Sequence, residues 1–325
     1  MNKKFWHEKI LFNNLKVPRF MSAPIDGYLD SPARQLMRMF SKEELLFGQM
    51  RHAATVSNCL DLDEFKIQKI EHPFCFQVSA NSTNFIEEAI EKILEQNFAM
   101  LNLNSGCPAK NIINSGSGCA LMAKPELLEQ IIKIIINKVN NKIPVTLKIR
   151  AGFKEKNALE LSQMAEYLGI SGIIIHPRLK DQGFIGDLDF ELVKKIKEAV
   201  KIPVIFSGNL IDANSVKYAY EHTGADGFMI GRALFGAPWK MQEILYELDN
   251  KKFNITEKEK IEIAILNLEL NSKYYGPKYG FNALKKHLGF YIKHMTQASK
   301  IRMHLMLAKD EIEMKNILVN LKESL

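Results

Sequence analysis

Cysteine is scarce. The 325 residues hold four, Cys59, Cys75, Cys107 and Cys119, and no two stand as a C-x-x-C pair. That excludes the usual zinc-ribbon spacing and a disulfide framework, and it points to a reducing, cytoplasmic setting. Long hydrophobic runs are also missing. The greasiest stretch, residues 131–136, is broken by Lys133 and falls far short of the roughly 20 residues a membrane span needs. The opening MNKKFWHEKI carries charge with no apolar run behind it, so no signal peptide is expected. No G-x-G-x-x-G turn follows the first β-like run, which argues against a doubly wound dinucleotide-binding sheet. Acids are absent from residues 271–308, where Lys273, Lys278, Lys285, Lys286, Lys293, Lys300 and Arg302 stand with three histidines. A surface kept only for solubility mixes both signs, so this stretch reads as a polyanion-binding face.

What is present is an ordinary globular composition, 46% hydrophobic and 25% charged, with a net charge of +7 and enough chain for one large domain and a small appendage. Short β-rich runs recur at 19–25, 45–50, 74–79, 100–105, 145–150, 172–177, 204–208 and 227–231. Most are continuous apolar runs, as expected of parallel strands covered on both sides. Helical patterns at 84–97, 125–139, 158–168, 190–200 and 213–222 separate the later ones, with Asp189 and Asp212 as N-caps and Pro125 in a first turn. This alternation predicts an α/β fold, a TIM (β/α)8 barrel over residues 1–248. Residues 234–248 read as one helix. A polar linker follows, with Thr256 and Glu259 spaced as a capping box. A small all-helical domain over 255–325 is then expected, interrupted at Tyr275-Gly276-Pro277 and at Gly280.

Barrel active sites lie at the C-terminal strand ends. Those ends carry Pro24, Ile25 and Asp26, then Gln77, then Asn102 and Asn104 before Gly106-Cys107-Pro108, then Lys148 and Arg150, His176 and Arg178, Ser207-Gly208-Asn209, and Gly231-Arg232. The last two groups suit a phosphate cup, in which glycines let backbone N–H groups approach an anion and Arg232 adds charge. Lys148 sits inside a strand, where lysine is rare unless paired, and could face an electron-rich ring edge such as that of a flavin. Cys107 lies in a loop and is suited to proton transfer, whereas Cys59, Cys75 and Cys119 read as small buried hydrophobes.

Several of these segments together resemble the tRNA-dihydrouridine synthase family: LNLNSGCPA at 101–109, LKIRAG at 147–152, His176-Pro177-Arg178, TGADGFMIGRALFGAPW at 223–239, and Ala23-Pro24 with the later Asp30-Ser31-Pro32. The resemblance runs in register over about residues 18–295, and the motif order is most similar to the bacterial B-type branch. It implies FMN as cofactor, NADPH as reductant and a D-loop uridine of tRNA as substrate. It places flavin contacts at Pro24, Ile25, Asp26, Gln77, Lys148, His176, Ser207, Gly208, Asn209, Gly231 and Arg232, and makes Cys107 the proton donor. Substrate contacts are expected at Asn104, Arg178, Lys285, Lys286 and Lys293, and no metal is expected. The chain departs from the family at Ile25, where methionine is common, at Ser207 and Asn209, where Asn-Gly-Asp is common, and at Leu179, where a threonine often follows the arginine. Two other readings stay open at this stage: a flavin barrel acting on a small molecule, similar to dihydroorotate dehydrogenase or an ene-reductase, and a tRNA-binding protein without catalysis.

Overall fold

The computed structural model describes residues 4–59 and 61–325. The chain forms two compact units. One runs up to Ile25 and continues over Glu43–Gly231; the other comprises Asp26–Lys42 and Arg232–Leu325.

In the first unit a short antiparallel hairpin, β1 (Ile10–Phe12) and β2 (Leu15–Val17), precedes eight parallel strands. These are β3 (Phe20–Ser22), β4 (Leu46–His52), β5 (Phe74–Ser79), β6 (Met100–Ser105), β7 (Val145–Gly152), β8 (Gly172–Leu179), β9 (Val204–Ser207) and β10 (Gly227–Ile230). The order is β3-β10-β9-β8-β7-β6-β5-β4. A bridge between Met21 and Leu45, with Ser22 N donating to the Leu45 carbonyl at 3.1 Å, joins the two ends into a barrel. The expected strands are all present, and the flanking helices start where their caps predict. The Asp189 and Asp212 carboxylates accept from Leu192 N and Ser215 N, and Pro125 opens the Pro125–Val139 helix.

The hairpin is the element the sequence does not announce, because its three-residue strands are too short to show a period. It closes the N-terminal end of the barrel. Ile10, Phe12 and Val17 pack in one apolar cluster with Met21, Leu45, Phe47, Cys75, Met100, Ile174, Ile205 and Met229. Two strand-leading glycines make room for it. A Cβ at Gly172 would stand 2.5 Å from the Phe12 ring, and one at Gly227 would stand 2.5 Å from Ile10 Cδ1 and 2.8 Å from the Arg19 carbonyl.

The second unit is built from helices Ser31–Met37, Lys240–Leu248, Glu257–Tyr275, Pro277–Tyr291, Ala298–Leu307 and Glu311–Ser324. Thr256 and Glu259 form the expected capping box. Three expectations need correction. Residues 234–248 are not one helix, since Gly236 takes φ +58 and the α-helix begins only at Lys240. Gly280 lies inside the Pro277–Tyr291 helix, where a Cβ would meet the Ser272 backbone at 2.5 Å, so glycine there permits a close helix crossing instead of ending a helix. The units also part after Gly231, not near residue 248: Trp239, Ala237, Leu36 and Phe40 share one apolar core with Leu268, Leu288 and Leu318.

Gly227→Ala should lower unfolding stability by about 1–3 kcal/mol, the usual cost of overpacking, because the Arg19 carbonyl cannot swing aside. Denaturant unfolding measures this; an unchanged midpoint would contradict the tight seating of the hairpin.

Candidate active site

Along a barrel strand, alternate residues share the inner face. Two residues above the apolar floor, that face turns polar. Cys75 is followed by Gln77, Met100 by Asn102 and Asn104, Thr146 by Lys148 and Arg150, Ile174 by His176 and Arg178, Ile205 by Ser207, and Met229 by Gly231. Buried amides must be paired, and here they pair with one another. Gln77 Nε2 donates to Asn102 Oδ1 at 2.7 Å, and Asn102 Nδ2 donates to Thr146 Oγ1 at 2.9 Å. Asn104 Nδ2 donates to Gln77 Oε1 at 2.9 Å.

The far end of Asn104 holds the cysteine loop. Its Oδ1 accepts from Gly106 N at 3.1 Å and Cys107 N at 3.0 Å. Cys107 is half-buried in this turn. Cys75 and Cys119 are sealed in, and burial pushes both thiols up, Cys119 to about 11. Cys59 is half-buried at the end of the Ala53–Asn58 helix, more open than expected of a core thiol.

Arg150, fully buried, reaches across the rim. Its Nε donates to the Gly106 carbonyl at 3.0 Å, Nη1 to Leu179 O at 3.0 Å and Nη2 to Gly183 O at 2.7 Å. One guanidinium thus ties the loop after β6 to the loop after β8. Arg178 Nε donates to Gly186 O at 2.6 Å and its Nη1 lies 3.1 Å from His176 Nε2. Arginine only donates, so in this hydrogen bond the imidazole nitrogen is the acceptor.

The predicted phosphate cup has suitable backbone. Gly208 takes φ +136 and Asn209 φ +51, and a Cβ at Gly208 would stand 2.8 Å from Leu188 Cδ2 and 3.1 Å from the His176 ring. Gly231 faces Ile25, whose Cδ1 would lie 3.4 Å from an added Cβ. A cavity of about 460 Å³ opens beside the cup, walled by Arg178, Leu188, Phe206, Gly208, Asn209 and Asn214. The structure therefore brings Ile25, Gln77, Asn104, Cys107, Lys148, His176, Arg178, Ser207, Gly208, Asn209 and Gly231 onto one barrel. Pro24 sits in the turn after β3, beside the Ile25 N to Ala23 carbonyl bond of 3.0 Å. Asp26 and Arg232 belong to the helical unit's share of the chain. So do the three lysines. Lys285 donates to the Ala308 carbonyl at 3.1 Å and Lys286 lies 3.8 Å from Asp30 Oδ2, while Lys293 is exposed. Among the described residues no cluster of His, Cys, Asp or Glu could hold a metal.

Two features escaped sequence reading. Thr146 completes the amide ladder, and Arg150 acts as a tie between loops. The spacing of Arg150, two residues beyond Lys148 on the same strand face, is the signal that could have marked it.

Lys148 stands in the polar tier with no hydrogen-bond or ion-pair partner among the described residues. Burial first, and neighbouring Arg150 second, lower its pKa from 10.5 to about 8. A lysine whose folded pKa is depressed binds fewer protons folded than unfolded between pH 8 and 10.5, so stability rises with pH across that window. In flavin-free protein the wild type should therefore gain up to about 3 kcal/mol relative to Lys148→Met between pH 7.5 and 10.5. Parallel unfolding curves for the two proteins across that range would overturn the assignment.

Comparison with known proteins identifies the family and the fold. The family model described as dihydrouridine synthase (Dus) matches residues 21–325. A probable tRNA-dihydrouridine synthase of Rickettsia bellii is 32% identical over 304 residues, covering 91% of this chain and 92% of that one. tRNA-dihydrouridine synthase B of Vibrio vulnificus is 30% identical over 289 residues, covering 87% and 89%. Among solved structures, the old yellow enzyme homologue of Zymomonas mobilis superposes with a TM-score of 0.56 at 10% identity, over 74% of this chain and 92% of that one. Histamine dehydrogenase from Rhizobium sp. 4-9 gives 0.59 at 11% identity, over 84% and 51%. The two structural likenesses speak for the barrel fold; the family-model match over residues 21–325 makes this chain a member of the dihydrouridine synthase family.

Proposed function

We propose that this protein reduces uridine in tRNA to 5,6-dihydrouridine, with FMN held in the barrel mouth and NADPH as reductant. The observation that carries the reading is Cys107, presented by a turn that Asn104 pins from below and Arg150 pins from the side. The polar tier fits the flavin. Ser207, Gly208, Asn209 and Gly231 offer backbone N–H groups to its phosphate, Lys148 offers a cation to the ring edge that gains negative charge on reduction, and Gln77 and His176 line the same wall. When bound, the flavin supplies the hydride to uracil C6.

The chain's own residues do the rest. Saturating the C5–C6 bond needs a proton at C5, and the Cys107 thiol gives it. Asn104 and Gln77 keep the thiol at a fixed height, because each amide in the ladder has its orientation set by the next. Arg178 holds His176 in place. Uridine stacked in folded tRNA must leave its stack to reach a barrel mouth, at a cost of a few kcal/mol. Phosphate contacts on the helical unit offset part of that cost. Lys293 serves there directly. Lys285 and Lys286, engaged within the unit, serve it less. A cytoplasmic enzyme with no membrane partner fits this role.

Cys107→Ala should keep its flavin and its reduction by NADPH, while tRNA turnover falls by about 10²–10⁴-fold, the usual weight of a general acid. Wild-type turnover in that variant would move the proton to another group. Dihydrouridine mapping in tRNA from cells lacking the protein tests the reaction itself.

Lys293→Gln should reduce the log–log salt slope of tRNA binding by about 0.7–0.9. Lys285→Gln and Lys286→Gln should change the slope less and thermal stability more. Three equal slopes would contradict the different settings of these side chains.

A further inference from the structure

The loop after β8 carries two large apolar side chains that the barrel does not use. Phe184 is 54% exposed and Ile185 90%. Single exposed apolar residues are common, but this pair is mounted unusually firmly. Gly183, the residue before it, gives its carbonyl to Arg150 Nη2, and Gly186, the residue after it, gives its carbonyl to Arg178 Nε. Gln182 Oε1 accepts from Leu179 N at 2.7 Å. The inner face of Phe184 lies against the site, with its ring 6.0 Å from that of His176 at 26° and 5.5 Å from the Arg150 guanidinium carbon. Both arginines are buried, so the loop's shoulders are fixed from inside the protein while its tip faces water.

The position of the tip is also defined. The guanidinium that holds Gly183 holds Gly106 as well, and Gly106 adjoins Cys107. The residues that adjoin the apolar pair and the cysteine, Gly183 and Gly106, are therefore held by one side chain. An apolar side chain on a rigid mount next to the point where a base must leave its stack has one evident use. Such side chains enter nucleic-acid stacks as wedges, filling the space of the displaced base, and full burial of an isoleucine side chain is worth about 1.5–3 kcal/mol.

We propose that Ile185, backed by Phe184, is a wedge that enters the RNA stack beside the target uridine and holds it out toward Cys107, with Arg150 setting the register between wedge and thiol. This rests on the reading of tRNA uridine as substrate. It names RNA bases, not the reductant, as what the loop touches.

The test uses full-length flavin-loaded protein and an unmodified tRNA carrying 2-aminopurine next to the uridine the wild type reduces. Wild-type turnover on that tRNA establishes the reaction independently of the wedge. Wild-type binding should raise the 2-aminopurine emission as its neighbour leaves the stack. Ile185→Ala should bind the tRNA with an affinity within a few-fold of wild type, fail to raise the emission, and lose about 10–150-fold in kcat/KM, the kinetic equivalent of burying an isoleucine side chain. Its flavin spectrum and NADPH-driven flavin reduction should be unchanged, which also shows that it is folded. Ile185→Met, apolar and of similar volume, should restore most of the emission and turnover. An unaltered emission rise in Ile185→Ala, a loss confined to NADPH-driven reduction, or failure of Ile185→Met to recover would each overturn the proposal.

Discussion

The barrel rim is organised around a buried cation, Arg150, that has no carboxylate partner among the described residues. A guanidinium taken out of water must be satisfied by hydrogen bonds or it costs several kcal/mol, and Arg150 meets that demand with three backbone carbonyls. The demand works in both directions. The carbonyls of Gly106, Leu179 and Gly183 must turn inward, and two loops that would otherwise move separately are held as one body. An aspartate in their place would neutralise the charge but tie only one loop. Carbonyl ligation converts the desolvation cost of one side chain into the relative positions of the Cys107 loop and the loop after β8.

The amide ladder extends the same logic across β5, β6 and β7. Gln77, Asn102, Asn104 and Thr146 are buried or nearly so, and each is oriented by its neighbour. Below them the inner face is apolar and closed by the hairpin. Above them it must receive a ligand. Lys148 lies at that boundary. Burial and Arg150, two residues along the same face, lower its pKa, so holding Lys148 charged there costs stability. Sites that break the rules of core packing in this way are usually the ones that carry function.

Much of this was legible in the sequence because it follows a period or a cap. The eight strands, the caps at Asp189 and Asp212 and the helical end all follow from local chemistry. So does the list of strand-end residues, since the barrel brings every C-terminal strand end to one rim. What the sequence concealed depends on partners far along the chain. Arg150 reads as a second basic residue until its bonds to residues 106, 179 and 183 are seen. The hairpin shows only as Gly172 and Gly227, whose missing side chains gain meaning once Phe12 and Ile10 occupy the space. The boundary after Gly231 is hidden because Trp239 and Leu36, 203 residues apart in the chain, belong to one core.

The acid-free stretch shows the limit of reading charge from sequence. Its acids are not missing from the fold; they are supplied from elsewhere. Asp30, buried at the cap of the Ser31–Met37 helix, accepts from Tyr275 Oη at 2.9 Å and stands 3.8 Å from Lys286 Nζ. His287 beside it is held neutral, its pKa lowered to about 4 by burial. Lys285 is anchored on the Ala308 carbonyl and lies over the Phe281 ring at 4.9 Å. Part of the positive charge between residues 271 and 308 therefore builds the unit and part faces outward. Lys278, Lys293 and Lys300 are exposed, with Tyr279 and Phe290 among them, while Arg302, also exposed, donates to the Gly289 carbonyl at 3.3 Å. We assign polyanion binding to the lysines of that second group, because a lysine already ordered against a carboxylate or carbonyl must give up that contact before it can neutralise a phosphate.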